Sequence, residues 1–335
     1  MLGRLDEMSK ILPSVDLFIF FFTRKEAVLS SQIEGTQTTL SEYLLFESEG
    51  TITRPLEDVG EVSNYIAAMN HGLARLREDF PLSLRLLREM HAKLLRTGRG
   101  SDKTPGEFRT KQNWFGGSRP GNAKFVPPSM TDLPDCLDAF EKFLHGGAAE
   151  YPVLIQAALL HAQFETIHPF QDGNGRMGRM LVTLLMIERG VLTAPLLYMS
   201  LYLKNNKEQY YEHLQRVRME GTWEEWIHFF AEGVSTAAEQ AVLLAHQTLA
   251  MFREHKDVVR QMGNKGSSML KVIEAMQRSP FVSTADAASR SGLSLPTAIA
   301  SLEALVSKGL LTEITGKSRR RVYAYTPYVD LLSRG

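Results

Sequence analysis

The chain has 335 residues, enough for two or three domains at roughly 100–200 residues each. Its 38 Lys+Arg balance 38 Asp+Glu, which excludes binding of nucleic acid or anionic membrane through bulk charge but leaves room for a local basic patch. Cys136 is the only cysteine, so the chain has neither an internal disulfide nor a multi-cysteine metal site, and a lone thiol fits a reducing cytoplasm.

The most apolar run near the N-terminus, Leu17 to Phe22, is six residues long and is flanked by Asp16, Arg24 and Lys25. A membrane span needs about 20 apolar residues, so this run reads as a core or interface segment of an unanchored, cytoplasmic protein. Val59, Val62, Ile66, Met69, Leu73 and Leu76 recur at helical spacing, with Asn64, Asn70 and Arg75 assigned to the wet side. Leu84, Leu87, Met90 and Leu94 repeat the pattern. Residues 98–129, rich in glycine and proline, break it and predict a loop or hairpin with extended pieces at Trp114–Phe115 and Lys124–Val126. Helical spacing returns at Leu160, Phe164 and Ile167, and again from Met180 to Ile187 with Gly190 as its stop. Trp223, Trp226 and Phe230 open another helix that runs past Glu239, and these aromatic stripes read as core.

Residues 260–268 read as a linker. Beyond it come a helix over roughly 268–278, a short one from Thr284, and a third capped by Ser294 with Pro296 in its first turn. The segments LLTEIT and VYAYT, joined by GKSRRR, then predict a basic hairpin. Helix–turn–helix followed by such a hairpin is the winged-helix pattern, and Lys265 onward carries ten Lys+Arg against five Asp+Glu. The module is read either as a DNA-binding element over residues 269–325 or as a protein-interaction module.

The informative segment is Ile167 to Arg179. Gly173, Gly175 and Gly178 spell G-x-G-x-x-G, yet a helix rather than a strand precedes them and no acidic residue follows at the required distance, which rejects a dinucleotide fold. Pro169 ends the preceding helix and leaves His168 at the junction, able to act as a base near neutral pH. Gly173 and Gly175 let backbone approach a ligand, and the free N–H groups of a helix starting near Asn174 form an anion site. Arg176 and Arg179 share one face and can reach a polyphosphate, while Asp172 suits a bridging Mg²⁺. Together these residues describe a phosphoryl- or nucleotidyl-transfer site. His161, on an apolar helix face, reads as core rather than as a metal ligand.

HPFQDGNGRMGR resembles the Fic family signature, HPFx[DE]GNGRxxR, at every defined position. The resemblance implies a mainly α fold: a helical core with a small β-hairpin flap, here followed by the winged-helix module. It also implies transfer of AMP from ATP, with Mg²⁺, to a Tyr, Thr or Ser hydroxyl of a protein, the chain itself included. His168 is then the base and Asp172 the metal ligand. Gly173, Asn174 and Gly175 form the anion hole, and Arg176 and Arg179 hold the outer phosphates, with Met177 and Gly178 between them in the nucleotide-binding turn. The stretches TPGEFRTKQNWFGG and AKFVPP resemble the family's flap, with Lys124, Phe125 and Val126 as the edge that aligns a target strand. Tyr210 and Tyr211 resemble tyrosines at the adenosine end, with helix packing the alternative. Arg218 stands where some relatives carry asparagine, and no role is transferred to it.

Ser30, Glu34 and Gly35 match a second family motif, [ST]xxxE[GN]. It implies an inhibitory helix whose glutamate pairs with Arg179 and displaces the γ-phosphate, since a carboxylate competes with a phosphate for one guanidinium fork. In some relatives this glutamate also serves removal of AMP. The expected organisation is an N-terminal inhibitory region over 1–55, a catalytic core over 56–259, the linker, and the winged-helix module over 269–335. A homodimer fits the family. The alternatives are another phosphate-containing donor, and a nucleotide sensor that regulates transcription through DNA.

Overall fold

The computed structural model describes residues 1–11, 15–49, 56–147, 149–263, 266–318 and 320–333; Lys265 and Arg319 lie outside them, as do parts of the expected N-terminal region and linker. The chain is mainly helical. In order come α1 (Leu2–Ile11), α2 (Val15–Ile33), α3 (Leu40–Glu49), α4 (Leu56–Arg77), α5 (Leu84–Leu94), α6 (Leu133–Lys142), α7 (Val153–Ile167) and α8 (Asn174–Glu188). They are followed by α9 (Ser200–Asn205), α10 (Lys207–Glu220), the 38-residue α11 (Trp223–Arg260) and α12 (Gly266–Gln277). The strand β1 (Phe281–Ser283), α13 (Thr284–Ser291), α14 (Leu295–Ser307), β2 (Thr312–Glu313), β3 (Val322–Ala324) and α15 (Thr326–Ser333) complete it. Among the described residues no helix is long and apolar enough to cross a membrane.

The chain divides into two compact units. The first holds Met1–Val15, Phe22–Gln37 and Pro55–Glu239. At its core α7 and α8 pack against each other. Sequence spacing marked only a stripe on α8, but the helix is enclosed on all sides: Met177, Met180, Leu181, Val182, Leu184, Leu185 and Met186 are all buried. The pair α4 and α5 packs alongside, closely enough that a Cβ on Gly72 would stand 2.8 Å from Met90 Sδ and 3.1 Å from Leu184 Cδ1. Asn64 departs from its wet-side assignment. It is buried, and its amide donates to Thr97 O at 2.9 Å and Thr97 Oγ1 at 3.2 Å. The loop after α5 folds over that face of α4, so a buried amide with partners takes the place of an exposed one.

Trp226 anchors α11 in this unit, fully buried, with its indole N–H donating to Ala158 O at 2.8 Å. Trp226→Ala is expected to destabilise this unit by about 3–5 kcal/mol, because it leaves a cavity and removes the indole hydrogen bond to Ala158 O. Urea unfolding of the two proteins measures the difference.

The second unit holds Asp16–Phe21, Thr38–Arg54 and Gln240–Gly335. Its sheet has the order β1-β3-β2, antiparallel throughout, with Val282 opposite Tyr323 and Thr312 opposite Ala324. Met269, Ile273, Leu302 and Leu305 fill the space among α12, α13 and α14. Ser294 caps α14 by accepting from Thr297 N, and Pro296 occupies its first turn, as the sequence pattern predicts. The β2–β3 hairpin also matches expectation, whereas β1, three residues long, is too short to leave a periodicity.

Candidate active site

The site forms at the corner between α7 and α8. Pro169 carries no N–H and ends α7. His168 closes the helix with left-handed backbone (φ 50°, ψ 61°), its own N–H still donating to Phe164 O at 2.9 Å. That conformation is rare for a side chain larger than glycine, and the surroundings enforce it. Arg109, buried, donates from Nε to His168 O at 3.0 Å and from its backbone to Pro169 O at 2.8 Å. Asn174 closes the following loop: its Oδ1 accepts from Phe170 N at 2.9 Å and its Nδ2 donates to Phe170 O at 2.8 Å. Asn174 therefore acts in this structure as the staple of the glycine loop.

His91 supports the loop from α5. Its Nδ1 accepts from Gly106 N at 2.8 Å, which leaves the proton on Nε2 to donate to Asp172 O at 3.0 Å. Burial pushes this imidazole down to about 4, so it stays neutral, stacked 3.8 Å from the Phe170 ring. Gly173 (φ 78°) turns the chain into α8, whose first-turn N–H groups have no acceptor within the helix.

The two arginines of this turn are buried and engaged differently. Arg179 donates from Nε to Ser30 Oγ at 2.7 Å and from Nη2 to Glu34 Oε1 at 2.7 Å and Ser30 O at 3.0 Å. Ser30 and Glu34 thus grip one guanidinium from the end of α2. Burial alone would raise the Glu34 carboxyl, but the Arg179 charge outweighs it and holds the group below the usual carboxylate range. Gly35 (φ 109°) turns the chain away directly after Glu34, a conformation that a side chain would strain. The turn is pinned by Arg99, which donates to Glu34 O at 3.1 Å, and by Lys207, which donates to Ile33 O at 2.7 Å. A Cβ on Gly175 would collide with the Glu34 carboxyl and stand 3.1 Å from Arg179 Nη1.

Arg176 donates from Nη1 to Glu61 Oε2 at 3.0 Å, and its Nη2 lies 3.8 Å from Asp172 Oδ1. Its Nε and Nη2 are buried without a hydrogen-bond partner. Unsatisfied guanidinium donors beside free helix N–H groups fit a bound anion. The Asp172 carboxylate accepts from Gly173 N at 2.6 Å and keeps some exposure. One hard carboxylate next to a phosphate cradle suits Mg²⁺, which takes its remaining ligands from phosphate and water.

Burial pushes His168 down to about 3, so its ring is neutral at ordinary pH and free to accept a proton. The edge of the Phe115 ring meets it at 4.4 Å between centroids. Phe115 belongs to the flap, two extended arms joined by a single bridge between Phe115 and Phe125. On the outer arm Lys124 and Val126 are exposed and Phe125 half-buried, while Lys124 O accepts from Gln215 Nε2 at 3.1 Å. Arg218 lies over the Phe125 ring at 4.0 Å and donates to Glu165 O at 3.0 Å, tying α10 to the flap and to the end of α7. Tyr210 and Tyr211 part company. Tyr210 is buried and donates its hydroxyl proton to His161 Nε2 at 2.9 Å, since His161 Nδ1 donates to Gly178 O at 3.1 Å; Tyr211 is 45 % exposed. His161 is thus a core residue.

Arg109, His91, Glu61, Arg99 and Glu165 complete the site but were not singled out in the sequence. Only Glu165, one helical turn before His168, had a spacing that could have drawn attention.

Residues 1–74 match the family model described as Fic/DOC family N-terminal, and residues 81–186 match that of the Fic/DOC family. Among curated proteins, the protein adenylyltransferase Fic of Aedes aegypti is 31% identical over 242 residues, 68% of this chain and 45% of that protein. Its counterpart from Drosophila ananassae is 28% identical over 204 residues, 60% of this chain and 38% of that protein. The chain therefore spans less than half the length of these relatives. A Fic family protein from Desulfovibrio desulfuricans shares the fold with a TM-score of 0.61 at 20% identity, over 96% of this chain and 94% of that one. Fic-1 (aa134–508) from C. elegans shares it with a TM-score of 0.53 at 18% identity, over 70% and 65% respectively. With the signature at the α7–α8 corner and both family models matched along the first 186 residues, this chain belongs to the Fic family.

Proposed function

We propose that the protein transfers AMP from ATP to a hydroxyl side chain of a protein, itself included, and that Glu34 restrains the reaction. The observation that carries this reading is the Glu34 carboxylate on Arg179 at 2.7 Å: an anion seated on a phosphate-binding fork beside a neutral, buried histidine. ATP would lay its phosphates along the first turn of α8, against the Gly173, Asn174 and Gly175 backbone and the unsatisfied donors of Arg176. Met177 and Gly178 belong to the same turn. Asp172 would hold Mg²⁺, which when bound offsets the charge that builds on the phosphates. His168 Nε2 takes the proton of the target hydroxyl, whose oxygen bonds to the α-phosphorus as the bond to pyrophosphate breaks. The exposed arm of Lys124, Phe125 and Val126 would present the target segment, and Tyr211 would face the adenosine end. While Glu34 holds Arg179, the γ-phosphate lacks its partner. The same carboxylate could orient water for the reverse removal of AMP.

Parallel incubations with α- and γ-labelled ATP test the reading. The α label is expected to become covalently bound to protein and the γ label is not; the opposite pattern would make the protein a kinase, and label from neither would point to another donor.

We also read the second unit as a winged helix, in which β1 lies between α12 and α13, α14 follows, and the β2–β3 connection of the β1-β3-β2 sheet carries Lys317 and Arg320. A DNA-regulatory role would follow if the full chain bound duplex DNA with an affinity that falls steeply with salt. Binding unaffected by Lys317→Glu would remove the hairpin from that role.

A further inference from the structure

Two buried polar atoms at the centre of the site have no hydrogen-bond partner: His168 Nδ1 and Glu165 Oε1. Their side chains face each other, with His168 Nδ1 3.8 Å from Glu165 Oε2 and only 12% and 9% of the two side chains exposed. The helix explains the meeting, since residues three apart share a face of its last turn. Gly178 provides room for the carboxyl: a Cβ there would stand 2.7 Å from Glu165 Oε1 and 3.3 Å from Phe164. A glycine within a helix costs about 1 kcal/mol against alanine, so a specific packing need is a sufficient reason for it here. With Nδ1 turned to Glu165, the other ring nitrogen, Nε2, points away from it.

We propose that Glu165 is the positioning residue of the catalytic base: its carboxylate receives His168 Nδ1–H, fixes the tautomer that leaves Nε2 free, and balances the imidazolium formed during transfer. The inference rests on the AMP-transfer reading. In that step the target's proton goes to Nε2, the target oxygen bonds to the α-phosphorus, and pyrophosphate leaves. The ring then carries a positive charge beside Arg218 and Arg109, with the Glu165 backbone carbonyl facing it and Glu34 the other nearby anion, while Arg179 acts on the Glu165 carboxyl. Tyr210 from α10 and His161 from α7 also border the carboxyl. A neutral environment would oppose that charge, whereas a carboxylate at 3.8 Å needs only to close by less than 1 Å to hydrogen-bond it. Burial pushes the Glu165 carboxyl up to about 7 and the His168 ring down to about 3, so a proton taken up near neutrality resides on the carboxyl and blocks its role.

The test uses the full chain with Glu34→Gly as parent, to which Glu165→Gln is added. Expected are a fall in kcat of about 100-fold, an unchanged KM for ATP, and an acid limb of the rate profile displaced to lower pH. The sign follows because the limb near pH 7 belongs to the carboxyl, which the amide lacks, whereas the His168 ring takes up its own proton only near 3. An unchanged kcat and pH profile would overturn the proposal, and so would a loss confined to KM or to melting temperature with the acid limb in place. A ¹⁵N NMR titration of the histidine rings without nucleotide, with His168 assigned through His168→Asn, reads the couple without turnover. There the parent His168 ring is expected to show a step near pH 7 as the Glu165 carboxyl gains its proton, and Glu165→Gln is expected to abolish that step; a parent ring with no such step rejects the couple. If the parent transfers no AMP, the functional reading fails while this titration still decides the role of Glu165.

Discussion

Replacing Glu34 by glycine is expected to raise self-modification with ATP and Mg²⁺ by about 10- to 100-fold. The magnitude follows from the interaction removed. Arg179 donates to Glu34 Oε1 at 2.7 Å, and a hydrogen bond to a charged group contributes roughly 1.5–3 kcal/mol, with 1.4 kcal/mol per factor of ten. The guanidinium stays aimed after the change, because Ser30 still accepts from its Nε at 2.7 Å. Gly175 adds no Cβ to the space vacated, so the γ-phosphate meets an open, oriented fork. The brake should also persist across the neutral range. The Glu34 carboxyl is held below its usual value by Arg179, so its contribution is fully present above the usual carboxylate range and is lost only as pH falls through the lowered value the group has in the fold. The ratio of mutant to parent initial rates is therefore expected to be constant from pH 6 to 8. An equal rate for both proteins would remove Glu34 from the role, and a ratio that collapses by pH 6 would mean that another group carries the pH response.

How much of this was written legibly in the chain depends on the range of the interaction. The α7–α8 corner is local: Pro169 stops a helix, Gly173 permits the turn, and HPFQDGNGRMGR places every group of the cradle within twelve residues. Ser30 and Glu34 lie about 145 positions from Arg179 and were legible only because they formed a spaced motif of their own. Residues that act through single long-range contacts left no such trace. Glu61 meets Arg176 across 115 positions and Arg109 reaches His168 across 59, and neither stands in a pattern that differs from an ordinary helix or loop residue. Asn64 shows the same limit from the opposite side. Spacing put it with the polar face, and only the loop carrying Thr97 decides that this part of the face is covered. Tyr210 and Tyr211 both resembled family tyrosines at the adenosine end, but on a helix neighbours point about 100° apart, and one is buried while the other is exposed.

His168→Asn is expected to lower AMP transfer by about 10²- to 10⁴-fold while leaving ATP affinity within twofold. Asparagine is the better replacement because position 168 has left-handed backbone (φ 50°), which asparagine tolerates more readily than alanine does. The variant thus tests the base with little added backbone strain. Nucleotide binding should survive because the cradle is built from other groups: the first turn of α8, Arg176, Arg179 and the Asp172 carboxylate. Its supports are also independent of the ring, since Asn174 closes the loop through Phe170 and His91 holds Asp172 O. Arg109 accounts for the fixed position of the turn by donating to the backbone carbonyl of residue 168, a bond that any side chain there preserves. Calorimetric titration with ATP in the Glu34→Gly background, beside the initial rate of α-label incorporation, separates binding from chemistry. A variant that binds ATP normally and transfers AMP at the parent rate would show that a group other than His168 takes the proton. Loss of binding together with a lowered melting temperature would show that the imidazole holds the corner itself, through Phe115 at 4.4 Å and the buried carboxyl of Glu165, and that its part in the reaction is structural.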